Sequence, residues 1–246
     1  MKQLIVLLCI FPAINAAVAQ VGQLPLRRNT IKLELTASIW YNNAFGLSYE
    51  RTTKPNQSFA ISAGYQQLRR NPRPTQNVAA SDDRSKRGFK YGAEYRFYLR
   101  KENKHPIPRG VYMGPYFTQH SFDNERILTV EQDGTTEEAI LNSELTIVNI
   151  GAQLGYQFVI NNRWTIDLVF IGPSISHYRY SAELSGNYTF DPEDIENEAI
   201  MDFIERFPLL DELISEKEAT REGGLDTWSY GYRYQIHLGY HFGRKK

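Results

Sequence analysis

The sequence predicts an all-β chain: an eight-stranded antiparallel transmembrane β-barrel with a short α-helical insertion in its last extracellular loop. Three observations lead there. Apolar residues recur with period two through most of the chain, the spacing that puts one face of a strand against apolar surroundings. After residue 20 the longest unbroken apolar run is Leu168 to Ile171, far short of the roughly 20 residues that a spanning helix needs. Apart from the first hairpin, which turns at Asn42-Asn43, the stretches between the alternating segments are short and long in turn, as in barrels with tight periplasmic turns and larger external loops.

Composition sets the outer bounds. The chain has 246 residues with 28 basic and 28 acidic side chains, and this balance argues against a broad electrostatic grip on nucleic acid. Aromatic residues make up 13%, among them 16 Tyr, too many for a disordered chain. The lone cysteine, Cys9, excludes a disulfide framework and a Cys-based zinc site.

Residues 1–19 read as a signal peptide. Lys2 precedes the apolar run Leu4 to Phe11, Pro12 interrupts it, and Ala17-Val18-Ala19 supplies the small-x-small cleavage pattern. Cleavage is expected after Ala19, leaving 20–246 as the barrel. Cys9 follows Leu8 and lies close to Met1, which fits a signal core better than a lipoprotein site.

The strands follow in order. Thr30 to Tyr41 carries Ile31, Leu33, Leu35, Ala37, Ile39 and Tyr41 on one face and Lys32, Glu34, Thr36 and Ser38 on the other. Ala44 to Thr53 alternates through Phe45, Leu47 and Tyr49, and Ser58 to Leu68 through Phe59, Ile61, Ala63 and Tyr65. Gly88 to Leu99 has Phe89, Tyr91, Ala93, Tyr95 and Phe97 against Lys90, Gly92, Glu94 and Arg96. In Gly110 to Phe122, Tyr112 and Tyr116 compete with Val111, Met113 and Phe117 for the apolar face. Leu145 to Ile160 alternates through Val148, Ile150, Ala152, Leu154, Tyr156 and Phe158. Trp164 to Leu184 loses phase near Gly172-Pro173, which predicts a bulge. Trp228 to Phe242 keeps eight even positions apolar, opposite Ser229, Gly231, Arg233, Gln235, His237, Gly239 and His241.

Residues 54–57, 100–109 and 161–163 are the expected short turns; 69–87, 123–144 and 185–227 are the expected long loops. An even strand number puts both ends of the barrel at the short-turn, periplasmic side. The last loop holds the insertion: Asp191-Pro192-Glu193-Asp194 reads as an N-cap, a Pro at the first helical position and an acidic first turn. Ile195, Ala199, Ile200, Phe203 and Ile204 then recur at helical spacing. From 191 to 222 there are 12 acidic and 3 basic residues, whereas 69–87 carries a net of +4. Two readings of this acidic segment stand open: a helical cap over the barrel mouth, or a docking surface for another envelope protein.

A soluble barrel shows the same alternation. The polar faces are, however, rich in glycine (Gly46, Gly64, Gly92, Gly151, Gly155), which suits a narrow lumen better than a solvated surface. Aromatics also gather at strand ends (Trp40, Tyr41, Trp164, Trp228, Phe242), as in interfacial girdles. Inward charges Lys32, Glu34, Glu50, Lys90, Glu94, Arg96, Asp167 and Arg233 nearly cancel, which predicts a salt-bridged lumen.

Ile31 to Thr36, followed by Leu47-Ser48-Tyr49-Glu50-Arg51, resembles the opening hairpin of small bacterial outer-membrane β-barrels of the OmpA/OmpX-like class. Pro108 to Tyr116 resembles a strand start in one such family, most of whose members have no known function. Gly239-Tyr240-His241-Phe242 resembles the C-terminal barrel-assembly signal, although Gly243 to Lys246 follow it. The resemblance implies an outer-membrane barrel and almost nothing about molecular function.

Two histidines invite a lipid-acting enzyme: His177 with Ser176, Ser181 and Glu183, and His120 with Ser121 and Asp123. Neither reproduces the His-x-Ser-Asn motif associated with barrel lipid A deacylases, and a hydrogen-bonded rim histidine explains both. His237 and His241, four residues apart on one polar face, are read as lumen residues and not as a metal pair. The sequence therefore assigns no catalytic residue, no cofactor and no metal. Its expected partners are outer-membrane lipid and lipopolysaccharide, with an envelope protein docking at 191–222. The expected role is structural or interactive and non-enzymatic, with a lipid-modifying enzyme or a narrow channel as alternatives.

Overall fold

The computed structural model describes residues 27–68, 78–132, 135–186 and 224–243. It is almost entirely antiparallel sheet: β1 (Asn29–Glu34), β2 (Asn42–Lys54), β3 (Gln57–Gln67), β4 (Val78–Tyr98), β5 (Gly110–Gln132), β6 (Thr135–Ile160), β7 (Trp164–Ile171), β8 (Pro173–Ser185), β9 (Gly224–Tyr232) and β10 (Gln235–Phe242). One short helix, α1 (Ala37–Trp40), lies between β1 and β2.

Ten segments make eight staves. β7 and β8 both pair with β6 and form one stave interrupted at Gly172; β9 and β10 form another, interrupted at Arg233-Tyr234. β10 pairs with β1, which closes the ring. Closure is staggered. From Ile31 the paired residues run through Tyr49, Ile61, Ala93, Phe117, Ile150 and Ile175 to Tyr230. Ile31 itself pairs with Tyr240, ten residues further along the last stave. A stagger of this size in eight strands tilts them by about 35–45° and leaves an interior just wide enough for side chains.

At one point β4 and β5 approach too closely for a side chain. A Cβ on Gly114 would lie 1.8 Å from the Tyr95 carbonyl oxygen, so this position of β5 requires glycine.

The wall has the inverted polarity of a membrane barrel. Leu47, Ile61, Ile150, Leu154, Phe158, Tyr230 and Leu238 face outward and exposed, while Lys32, Glu50, Arg96, Gln157 and Asp167 face inward and buried. This chain is a transmembrane barrel: only lipid makes such an exterior favourable. The competition in β5 resolves with Tyr112 and Tyr116 inward and buried, Met113 and Pro115 outward. The expected bulge is present, because Phe170 and Ile171 are both exposed and the β6–β7 register shifts between Leu154 and Gly155.

Two expectations need correction. The first strand does not run to Tyr41: it ends at Glu34, and Thr36 takes a helical conformation (φ −67°, ψ −26°). The apparent alternation from 37 to 41 crosses a helical turn, which sends Tyr41 inward to stack on Phe122 at 5.8 Å. Two of the expected long loops, 69–87 and 123–144, are also largely strand where described: β4 begins at Val78, and β5 and β6 leave only residues 133–134 between them. In these upper halves the polarity reverses. Asp123, Glu144, Arg179 and Glu183 face outward, and Phe122, Leu145, Ile147, Tyr178 and Leu225 pack inside. At 21, 23 and 26 residues, β4, β5 and β6 are about twice the 9–11 residues that cross a bilayer, so their upper halves stand in water. The signal peptide and the acidic insertion lie outside the described residues.

Candidate functional site

The lumen concentrates nearly all the buried charge. Alternation delivers it there: Lys32 and Glu34 from β1, Glu50 from β2, Lys90, Glu94 and Arg96 from β4, Asp167 from β7, and Arg233 between β9 and β10. These are the eight residues named from the sequence, four cations and four anions.

They form one connected network. Lys32 Nζ lies 2.5 Å from Glu50 Oε2 and 2.6 Å from Asp167 Oδ2. Arg96 pairs with Asp167 at 2.7 Å, reaches Glu50 at 3.6 Å, and also pairs with Glu94. Arg233 donates to Glu94 at 2.5 Å and to Gln235 Oε1 at 2.7 Å; Gln235 donates to Glu34 at 3.0 Å. Lys90 completes the chain by pairing with Glu34 at 2.7 Å. Lys32, Glu50, Arg96 and Asp167 are each at most 1% exposed. Charges this deep persist only when paired and hydrogen-bonded.

Neutral groups supply the remaining bonds. The Tyr98 hydroxyl donates to Glu50 at 2.8 Å, Ser58 to the same oxygen at 2.5 Å, and Tyr112 to Asp167 at 2.7 Å. The guanidinium groups stack on the lumen tyrosines, Arg96 over Tyr112 at 4.1 Å and Arg233 over Tyr116 at 4.6 Å. The sequence pattern did not identify Tyr98 and Tyr112 as carboxylate donors or Tyr116 as a platform for Arg233. Their even-numbered phase, shared with Gly114 and Thr118, was the available signal.

A small pocket among Glu34, Ser48, Glu94, Arg233 and His237 has room for about one water. His237 Nδ1 has no protein partner there. Above the charges, Phe122, Leu145, Ile147, Tyr178 and Leu225 form an apolar layer joined by Tyr41, Leu68 and Tyr180. The lumen is therefore filled by salt bridges and covered by hydrocarbon.

The model of a family described as proteins of unknown function (DUF3575) matches residues 4–189. The chain belongs to that family. Among solved structures, this DUF3575 member is similar to the N-terminal barrel domain of Pseudomonas aeruginosa OprF (12% identity, 88% of this chain and 98% of that one, TM-score 0.29). It is also similar to Acinetobacter baumannii CarO (11%, 89% and 100%, TM-score 0.35) and a major outer membrane protein of Thermus thermophilus (11%, 88% and 98%, TM-score 0.33). At these TM-scores the likeness carries no argument about function. No curated protein matches the sequence.

The DUF3575 chain does not assemble either proposed enzymatic set. His177 faces outward and Ser176 inward, where Ser176 donates to Asn149 at 2.6 Å. His177 Nε2 instead lies 2.6 Å from Asp226, which Arg179 also contacts at 3.0 Å; these bonds hold the Asp226 carboxyl below the usual carboxylate range. His120 meets Gln66 at 2.7 Å beneath the apolar layer, while Asp123 is exposed on the other face of the strand. Alternation thus puts Ser176 on the opposite face from His177, and Ser121 and Asp123 on the opposite face from His120; Ser181 and Glu183 share the outward face with His177, whose Nε2 meets Asp226 instead. His237 and His241 both face the lumen, where His241 Nδ1 shares a hydrogen bond with Thr30 at 3.0 Å.

Proposed function

We propose that the protein is an outer-membrane barrel with a structural or interaction role in the cell envelope and no enzymatic activity. One observation carries this reading: the lumen is charge-balanced, filled by a connected salt-bridge network and covered by an apolar layer. The surfaces that suit such a role include the lipid-facing wall and the parts of β4, β5, β6 and β8 that rise beyond it. Their outward face is polar, with Asp123, Glu144 and Glu183 exposed. Such a projecting sheet suits contact with lipopolysaccharide or a second envelope protein. The acidic segment 191–222, outside the described residues, enters as the docking element for that protein, since it joins high negative charge to an apolar stripe.

The test has two arms. A photo-crosslinking residue at Glu144, introduced in cells, should give a discrete adduct with an envelope component. Purified protein incubated with lipopolysaccharide should release no acyl chain detectable by mass spectrometry. Acyl loss that disappears on replacing His177 or His120 overturns the reading in favour of an enzyme.

A further inference from the structure

The two ends of the barrel differ sharply in charge. At the short-turn end, Arg28, Arg51, Lys54, Lys101, Lys104 and Arg163 are all exposed, and none forms an ion pair among the described residues. The single acid in these turns is Glu102. In sequence, Arg244-Lys245-Lys246 follow the last strand and add to the same sign. At the other end, exposed acids and bases are mixed, with Asp226 against Arg179 and Glu125 against Arg84.

We propose that this basic rim binds the phosphate headgroups of anionic phospholipids in the leaflet at the short-turn end. Placement of the rim favours a lipid over a polymer approaching from below. Arg51 is not at a turn tip: it is an outward position of β2, paired with Phe59, which is exposed on the same wall. Arg163 directly precedes Trp164, which is exposed on the wall and packs edge-on against Tyr240 at 5.6 Å. Guanidinium groups are thus interleaved with the aromatic girdle, and such girdles sit at headgroup level. Side chains at that height meet phosphates laterally, and clustered basic groups near a bilayer surface attract anionic lipid additively. Arginine, with its forked donors, suits phosphate especially well.

This inference rests on the outer-membrane placement proposed above, which puts the short-turn end in the periplasm, and the experiment separates the two. The full chain is reconstituted in nanodiscs of phosphatidylethanolamine and phosphatidylglycerol, and co-retained lipid is read by native mass spectrometry. Wild type should retain phosphatidylglycerol preferentially. Replacing Arg51, Lys54, Lys101, Lys104 and Arg163 by Gln should reduce that preference about tenfold or more. The Arg51→Lys, Arg163→Lys variant should keep most of it and controls for folding. Equal retention of both lipids by wild type, or an undiminished preference in the Gln variant, overturns the proposal. So does tighter binding of soluble peptidoglycan fragments than of phosphatidylglycerol. Separately, Lys101→Cys should react with an impermeant thiol reagent only after the outer membrane is opened. Labelling in intact cells would contradict the topology and leave the lipid result standing on its own.

Discussion

Arg233 reaches across the lumen to Glu94, Nη2 to Oε2 at 2.5 Å, across 139 positions of sequence. Its backbone N–H also donates to the Gly172 carbonyl at 2.7 Å. One residue thus joins the interruptions of two neighbouring staves to the charged network, and the tyrosine that stacks beneath its guanidinium, Tyr116, donates to the same carbonyl at 2.8 Å.

Removing one member of a buried pair strands its partner, which typically costs about 3–5 kcal/mol. Arg96→Ala, which strands parts of Asp167, Glu94 and Glu50, should lose stability in that range. Arg233→Ala should lose less, because its side chain retains some exposure. Urea unfolding in lipid vesicles measures both. Unchanged midpoints in the two variants would show that the network does not hold the barrel together.

The wall changes polarity between Val148 and Glu144 on β6, and that change can be located by substitution. Leu154, outward and exposed midway along the apolar part of β6 between Val148 and Ile160, should destabilise the folded barrel by about 2–4 kcal/mol when changed to Arg, an effect that falls toward zero at outward positions nearer the interface. Asn142→Arg, on the same face but above the change, should have almost no effect. Equal effects at the two positions would mean that the hydrophobic boundary lies elsewhere.

The apolar layer above the charges should behave as a protein core. Leu145 is buried beside Phe122 and Leu225, so Leu145→Ala should cost about 2–5 kcal/mol, whether the barrel is held in detergent or lipid. A neutral result would show that the layer is loosely packed and closes nothing.

Much of this was legible in the sequence because lipid outside and charge inside imprint a strict alternation. Trp228 to Phe242 keeps its even positions outward through the whole stave, and all eight lumen charges stand on the faces where alternation puts them. What escaped has physical causes. Above the bilayer the apolar face moves indoors, so β5 and β6 carry opposite patterns in their two halves and the upper halves resemble loops. The turn at Thr36 happens to continue a period-two pattern. Which charge meets which is set by the ten-residue stagger of closure, and no local window contains it.

Part of the basic stretch 69–87 is already engaged: Arg84 pairs with Glu125 at 3.2 Å, and Arg87 stands opposite Asp123. If Arg69, Arg70 and Arg73 hold the acidic segment 191–222 electrostatically, reversing the three to Glu should make that segment easier to cut with external protease. High salt should do the same, since exposed pairs are individually worth about 0–1 kcal/mol and are screened. Unchanged cleavage under both treatments favours an acidic segment free to dock a partner.

Single-protein conductance in a planar bilayer tests the closed lumen most directly. Wild-type protein, with insertion verified by the heat-dependent shift of the folded barrel on a gel, should give no steady current steps at neutral pH. Reproducible, long-lived steps from the wild-type barrel would contradict a lumen filled by salt bridges, and with it the reading of this protein as a closed envelope component.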